Sequence, residues 1–224
     1  MHNTEAQLIA AEIPAGDVNL AGDLWLPADA GGLVIFAHGA TSSRHNPRHQ
    51  RVASLLHEAG LGTLLVDLLA AEEEPNDTCN PHLRNDIVLL ARRLRATTRW
   101  ARHQRETSEL LFGYFGASTG AAAAFIAAAD DAGSIGANVS RGGRPDLAGE
   151  AIARLRVPTL LLAGGDDEQT TALNLETWAQ LRCAKSIEII PGAGHLFAEP
   201  GALDNVGVLA ARWFTQHLRK DAEW

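Results

Sequence analysis

Apolar residues along this chain fall into two alternating kinds of run. Short continuous runs, Leu33 to Ala37 (LVIFA), Gly62 to Leu69 (GTLLVDLL), Leu110 to Phe115 and Val157 to Ala163, have no polar face. That pattern predicts strands buried on both sides. Between them, apolar positions recur at helical spacing. Val52, Leu55 and Leu56 follow Asn46-Pro47, an N-cap and first-turn proline, and Gly60 stops that helix. Leu83, Ile87, Leu90 and Leu94 mark a second helix over 83–100, and Thr171 to Arg182 a third. Leu203, Val206, Ala210, Trp213 and Phe214 line one side of a last helix over 203–218. Ile135 to Val139 and Ser186 to Ile190 read as further strands, and 150–155 as a short helix. At the start, Leu8 to Pro14 and Val18 to Leu26 flank Ala15-Gly16-Asp17, which predicts an antiparallel hairpin at a sheet edge.

Strands alternating with helices imply an α/β fold: a mainly parallel sheet with right-handed crossovers and helices on both faces. At 224 residues, one domain over 1–224 can hold the whole core. No segment between the later strands is long enough for a helical cap domain, which leaves the site open beside the acidic loop Ala70 to Pro81. Reacting groups in such sheets collect beyond the carboxyl ends of the strands. Four loops are thereby singled out: His38-Gly39-Ala40, the turn at Ser118, Asp166-Asp167, and Pro191 to His195.

Composition narrows the function. A hydrophobic share of 46% with 21% charged residues fits a globular protein, and no apolar run is long enough to span a bilayer. A net charge of −8 disfavours nucleic acid and anionic membrane surfaces as partners. The arginines at 92, 93, 95, 99, 102 and 105 are expected to form the polar face of the second helix. The start, MHNTEAQLIA, lacks a basic region followed by an apolar core, so a cytoplasmic location is expected. Cys79 and Cys183 form no metal or redox motif and are expected to be free thiols.

The chemistry centres on Glu109 to Ala124 (ELLFGYFGASTGAAAA). A buried strand runs into Gly116-Ala117-Ser118-Thr119-Gly120, and a small-residue helix follows at once. A serine at the apex of so tight a turn needs neighbours without colliding side chains two positions away on each side, which Gly116 and Gly120 provide. A serine hydroxyl needs a base, an imidazole serves near neutral pH, and a carboxylate fixes the imidazole's tautomer. Ser118, an Asp at 166 or 167, and His195 occur in that order, each directly after an expected strand.

Taken together, the hairpin, HGATSSRH, GASTG, GGDDEQT and GAGHLF resemble the α/β-hydrolase superfamily, and within it the dienelactone hydrolase-like proteins, over nearly the whole chain. The resemblance implies Ser118 as nucleophile, Asp167 as acid with Asp166 as the alternative, and His195 as base. It also implies an oxyanion hole from the backbone N–H groups of Ala40 and Thr119. His38 is expected to brace its loop. The founding dienelactone hydrolase uses a cysteine nucleophile, and neither cysteine here stands at that position.

The expected activity is therefore a cofactor-free serine hydrolase acting on a small-molecule carboxylic ester, as a monomer or homodimer. A thioesterase, lactonase or acyltransferase would use the same residues. A catalytically inactive binding module of the same fold is the alternative of another class. Arg44 and Arg141 follow strands whose ends face the site and are candidates to bind a substrate carboxylate or phosphate; the alternative is pairing with Glu72 to Glu74 or Asp146. His45, His49 and His57 lack a carboxylate to complete a metal set, so no metal is expected.

Overall fold

A computed structural model of the chain describes residues 6–74, 77, 82–131 and 133–218. Cys79 and most of the acidic loop's second half lie outside the described residues.

The hairpin forms as expected from β1 (Gln7–Ala15) and β2 (Val18–Leu26), with Gly16 in the left-handed region at φ 82° in the two-residue turn. Then follow β3 (Leu33–Ala37), α1 (Pro47–Glu58) and β4 (Gly62–Val66). Helix α2 (Ile87–Arg102) leads to β5 (Phe112–Ala117), α3 (Thr119–Asp130) and β6 (Ile135–Arg141). The chain closes with α4 (Ala151–Arg154), β7 (Thr159–Gly164), α5 (Glu168–Gln180), β8 (Lys185–Ile190) and α6 (Ala202–His217). The eight strands form one sheet in the order β1-β2-β4-β3-β5-β6-β7-β8. The pairs β1–β2 and β2–β4 are antiparallel and the rest parallel. This is the α/β-hydrolase fold.

Strand β3 shows why the central runs lack a polar face. Leu33, Ile35 and Ala37 enter a core that also holds Leu90, Leu94 and Phe125 of α2 and α3. Val34 and Phe36 enter the opposite core, with Val52 and Leu56 of α1 and Val206 and Phe214 of α6. Both faces are covered, so every position must be apolar. Alanines 121 to 124 are fully buried, which lets α3 lie close on the sheet.

Besides shifts at helix ends, two expectations change. The run Gly62 to Leu69 leaves the strand after Val66: the Asp67 N–H makes one last bond to β2, at the Ala21 carbonyl, and Leu68 and Leu69 are buried outside any strand. Arg93 is not on the polar face of α2. It is 5% exposed, donates from both terminal nitrogens to Glu73, at 2.7 and 2.6 Å, and bonds the Leu68 carbonyl.

Candidate active site

The six parallel strands β4, β3, β5, β6, β7 and β8 present their carboxyl ends along one rim. At the end of β5 the chain reverses into α3 through Ser118, whose backbone is held at φ 51°, ψ −124°. For a residue with a side chain this is a strained conformation, costing about 1–3 kcal/mol, and it persists only where surrounding structure enforces it. The enforcement is visible. A Cβ on Gly116 would stand 2.5 Å from Ala121 Cα, and one on Gly120 would stand 2.1 Å from the Ala37 carbonyl oxygen. The Ser118 N–H goes to the Arg141 carbonyl at 3.3 Å, and the Ser118 carbonyl accepts from Arg144 N at 3.0 Å.

The loops after β7 and β8 are pressed together. A Cβ on Gly164 would meet the Ala193 carbonyl oxygen at 2.4 Å, and the Asp166 N–H donates to that same carbonyl at 3.0 Å. This contact delivers His195 to Asp167: Nδ1 lies 2.7 Å from Asp167 Oδ2. Asp166 has its side chain in solvent, so of the two neighbouring carboxylates it is Asp167 that meets the imidazole. Asp167 Oδ1 also caps α5 by accepting the Thr170 N–H at 3.2 Å. Burial pushes the Asp167 carboxyl upward, but the hydrogen bonds from Thr170 and His195 outweigh it, and its pKa falls below the ordinary value. An ionised carboxylate only accepts, so Nδ1 carries the proton and Nε2 is left with its lone pair.

Ser118 and His195 line one cavity of about 200 Å³, together with Gly39, Arg48, His49 and Arg141. The loop after β3 closes over the serine: a Cβ on Gly39 would stand 3.1 Å from Ser118 Cβ. The Ala40 N–H, expected to be open toward substrate, instead donates to the Thr119 hydroxyl at 3.0 Å, tying that loop to the start of α3. His38 is 7% exposed and both ring nitrogens meet backbone, Nδ1 donating to the Gly39 carbonyl and Nε2 accepting the Leu68 N–H. Its burial lowers its pKa, and the ring braces the loop.

The two candidate arginines part company. Arg44 does not line this cavity. Its guanidinium pairs with Asp67 and, at 3.2 Å, with Asp23, and its N–H donates to Asp67 Oδ1 at 2.7 Å. Its charge is thus occupied by carboxylates other than those expected, and the substrate contact read for it from sequence is withdrawn. Arg141 does line the cavity, at 6% exposure. Burial, with the Arg48 charge nearby, lowers its pKa to about 10, so it stays protonated at neutral pH. Arg144, not Arg141, pairs with Asp146.

Sequence reading missed Arg48 and His49 as cavity residues. His49 is 3% exposed, and burial foremost, then Arg141 and His38, lowers its pKa to about 3, so it is neutral at working pH. The available signal was the helix spacing that sets His49 one turn before Val52 and Ala53, on the buried side of α1. Among the described residues no group of three or more His, Cys, Asp or Glu side chains converges to hold a metal. None of the described helices is long and apolar enough to cross a membrane.

Residues 24–215 match the model of the dienelactone hydrolase family. The chain belongs to the dienelactone hydrolase family. It is 50% identical to a dienelactone hydrolase from Anabaena variabilis ATCC 29413, whose crystal structure superposes with a TM-score of 0.94 over 96% of this chain and 99% of that one. It is similar in fold to Est1E from Butyrivibrio proteoclasticus, with a TM-score of 0.76 at 17% identity, covering 92% of this chain and 97% of that one. Two Mycobacterium tuberculosis proteins, from strains CDC 1551 and H37Rv, are 48% identical over 207 residues and bear the name "Putative phosphoribosyl transferase". The match takes in 92% of this chain but 46% of theirs, so the chain spans about half the length of these relatives.

Proposed function

We propose that the chain is a serine hydrolase that cleaves carboxylic esters through an acyl-enzyme, with Ser118, His195 and Asp167 as nucleophile, base and acid. The observation that carries this reading is the His195–Asp167 bond of 2.7 Å beside a strained serine in the same cavity. Ser118 Oγ attacks the ester carbonyl while His195 Nε2 takes its proton; Asp167 stabilises the resulting imidazolium. The tetrahedral oxyanion is held by the Thr119 N–H and by the Ala40 N–H, which exchanges the Thr119 hydroxyl for the developing negative charge. His195 then returns the proton to the leaving alcohol, and water cleaves the acyl-enzyme by the same route. None of these steps requires a cofactor. A thioester or lactone would be opened by the same steps.

The substrate is a small molecule, in keeping with a cavity of about 200 Å³, and the reading places the reaction in the cytoplasm. Arg48 and Arg141 favour an ester that carries an anionic group. The name of the mycobacterial relatives belongs to proteins of which this chain spans less than half, and phosphoribosyl transfer is not carried over to it.

A panel of p-nitrophenyl esters tests the reading, with a neutral acetate beside one whose acyl chain ends in a carboxylate. The expected result is turnover of both, preference for the anionic ester, and loss of both in Ser118→Ala. Turnover that survives Ser118→Ala in a folded protein refutes it, and a folded wild-type protein that turns over none of the panel favours the inactive binding module.

A further inference from the structure

Arg141 is the residue at which the two halves of the candidate site meet. Its carbonyl accepts the Ser118 N–H at 3.3 Å, where β6 pairs with the end of β5. Its side chain runs to the His195 turn. Nη1 donates to the Leu196 carbonyl at 3.4 Å, a long bond, and the guanidinium carbon lies 5.6 Å from the centroid of the Phe197 ring. Gly142, the next residue, supports the same turn: a Cβ there would stand 3.1 Å from the His195 carbonyl oxygen and 3.2 Å from Phe197 Cε2.

The turn needs holding. Phe197 has φ 54°, in the left-handed region that side-chain-bearing residues avoid, with its ring 1% exposed. The His195 side chain is 42% exposed, and its bond to Asp167 fixes the tilt of the ring rather than the backbone from which it hangs. A buried guanidinium with the positive charge of Arg48 acting on it is costly to keep. Its flat face over Phe197 and its directed N–H at Leu196 are properties a lysine lacks.

We propose that Arg141 is a positioning residue that sets the distance between Ser118 and His195, with its carbonyl on one and its guanidinium on the turn that carries the other. The proposal rests on the reading of Ser118 and His195 as nucleophile and base. Replacing the side chain removes the tether to His195 and leaves the backbone tether to Ser118 in place. The effect is therefore on the transfer of the serine proton, and it falls in full on a neutral ester, which has no anionic group for the guanidinium to bind.

The test is a double-mutant cycle in the full chain. Arg141→Met and Arg141→Lys are each made in wild type and in His195→Ala, with p-nitrophenyl acetate as the neutral ester and thermal melts to confirm folding. Phe197→Leu, which keeps an apolar side chain but removes the ring face, serves if the arginine variants do not fold. The expected result is a kcat at least tenfold lower in Arg141→Met with KM within twofold, partial recovery in Arg141→Lys, and less than a twofold effect of Arg141→Met once His195 is alanine. A loss confined to the anionic ester and expressed in KM overturns the proposal, as does an undiminished loss in the His195→Ala background. If Ser118→Ala retains turnover, the reading of the site fails and this proposal with it. If Ser118→Ala is inactive while Arg141→Met and Phe197→Leu hydrolyse the acetate normally, only this proposal fails.

Discussion

Replacing Asp167 by asparagine separates the two jobs of one side chain. Oδ1 caps α5 by accepting the Thr170 N–H at 3.2 Å, and Oδ2 accepts the hydrogen bond from His195 Nδ1 at 2.7 Å. Asparagine caps a helix about as well as aspartate, so stability should change by only a few tenths of a kcal/mol. Its amide nitrogen then faces His195, where the carboxylate oxygen was. Two donors cannot share that bond, so the imidazole turns acceptor at Nδ1 and carries its proton on Nε2, leaving no lone pair to take a proton from Ser118. A base in the wrong tautomer lowers kcat by roughly 10⁴-fold, about 5.4 kcal/mol at about 1.36 kcal/mol per factor of ten. Asp167→Ala loses the cap as well, about 1 kcal/mol, and should melt ~2–4 °C lower than wild type for a chain of this size. Ester hydrolysis near pH 7.5 and a thermal melt of both variants are the assays. A folded Asp167→Asn protein that keeps more than a tenth of wild-type kcat would refute the tautomer argument. A large drop in melting temperature for the asparagine variant would refute the claim that cap and base contact are separable.

Two further outcomes follow from packing and burial. Gly120→Ala puts a methyl 2.1 Å from the Ala37 carbonyl oxygen, a backbone atom that cannot step aside; overpacking costs about 1–3 kcal/mol or more, and urea unfolding should show a loss at the top of that range. His49 has a folded-state pKa lowered to about 3 from 6.5, so between those values the unfolded chain binds the extra proton. Its contribution to stability is therefore complete above pH 6.5 and is lost progressively as pH falls toward 3, with a slope approaching about 1.4 kcal/mol per pH unit. Urea midpoints at pH 7, 6, 5 and 4 should fall more steeply for wild type than for His49→Gln; parallel curves would contradict this.

How far the sequence spoke for itself depended on whether the signal was local. Leu33 to Ala37 matches β3 residue for residue because a continuous apolar run bounded by glycine and histidine has one reading. The run from Gly62 to Leu69 is interrupted at Asp67, and the strand ends at Val66, just before the residue whose carboxylate turns to Arg44. The helix expected at Thr171 begins at Glu168 because Asp167, read for chemistry alone, is also its N-cap. Likewise α2 starts after Asp86, which caps it through the Leu89 N–H, while Leu83 sits in a separate 3-10 turn. The charge of Arg93 points to solvent, whereas its spacing from Leu90, Leu94 and Thr97 puts it on the buried face.

The same division runs through the site. The order of Ser118, Asp167 and His195 along the chain was legible, and so was the need for glycine on both sides of the serine. Which arginine faces the cavity was not, because Asp67 and Asp23 capture Arg44 across distances in sequence that no local pattern encodes. The bond from Ala40 to the Thr119 hydroxyl joins residues 79 apart and had no sequence signal at all.

Reaction with a fluorophosphonate, followed by intact-mass and peptide analysis, reports whether Ser118 is an activated nucleophile. One adduct per chain is expected, located on Ser118, absent from Ser118→Ala and strongly slowed in His195→Ala. A folded wild-type protein that takes up no label, or that carries it on another residue, would contradict it.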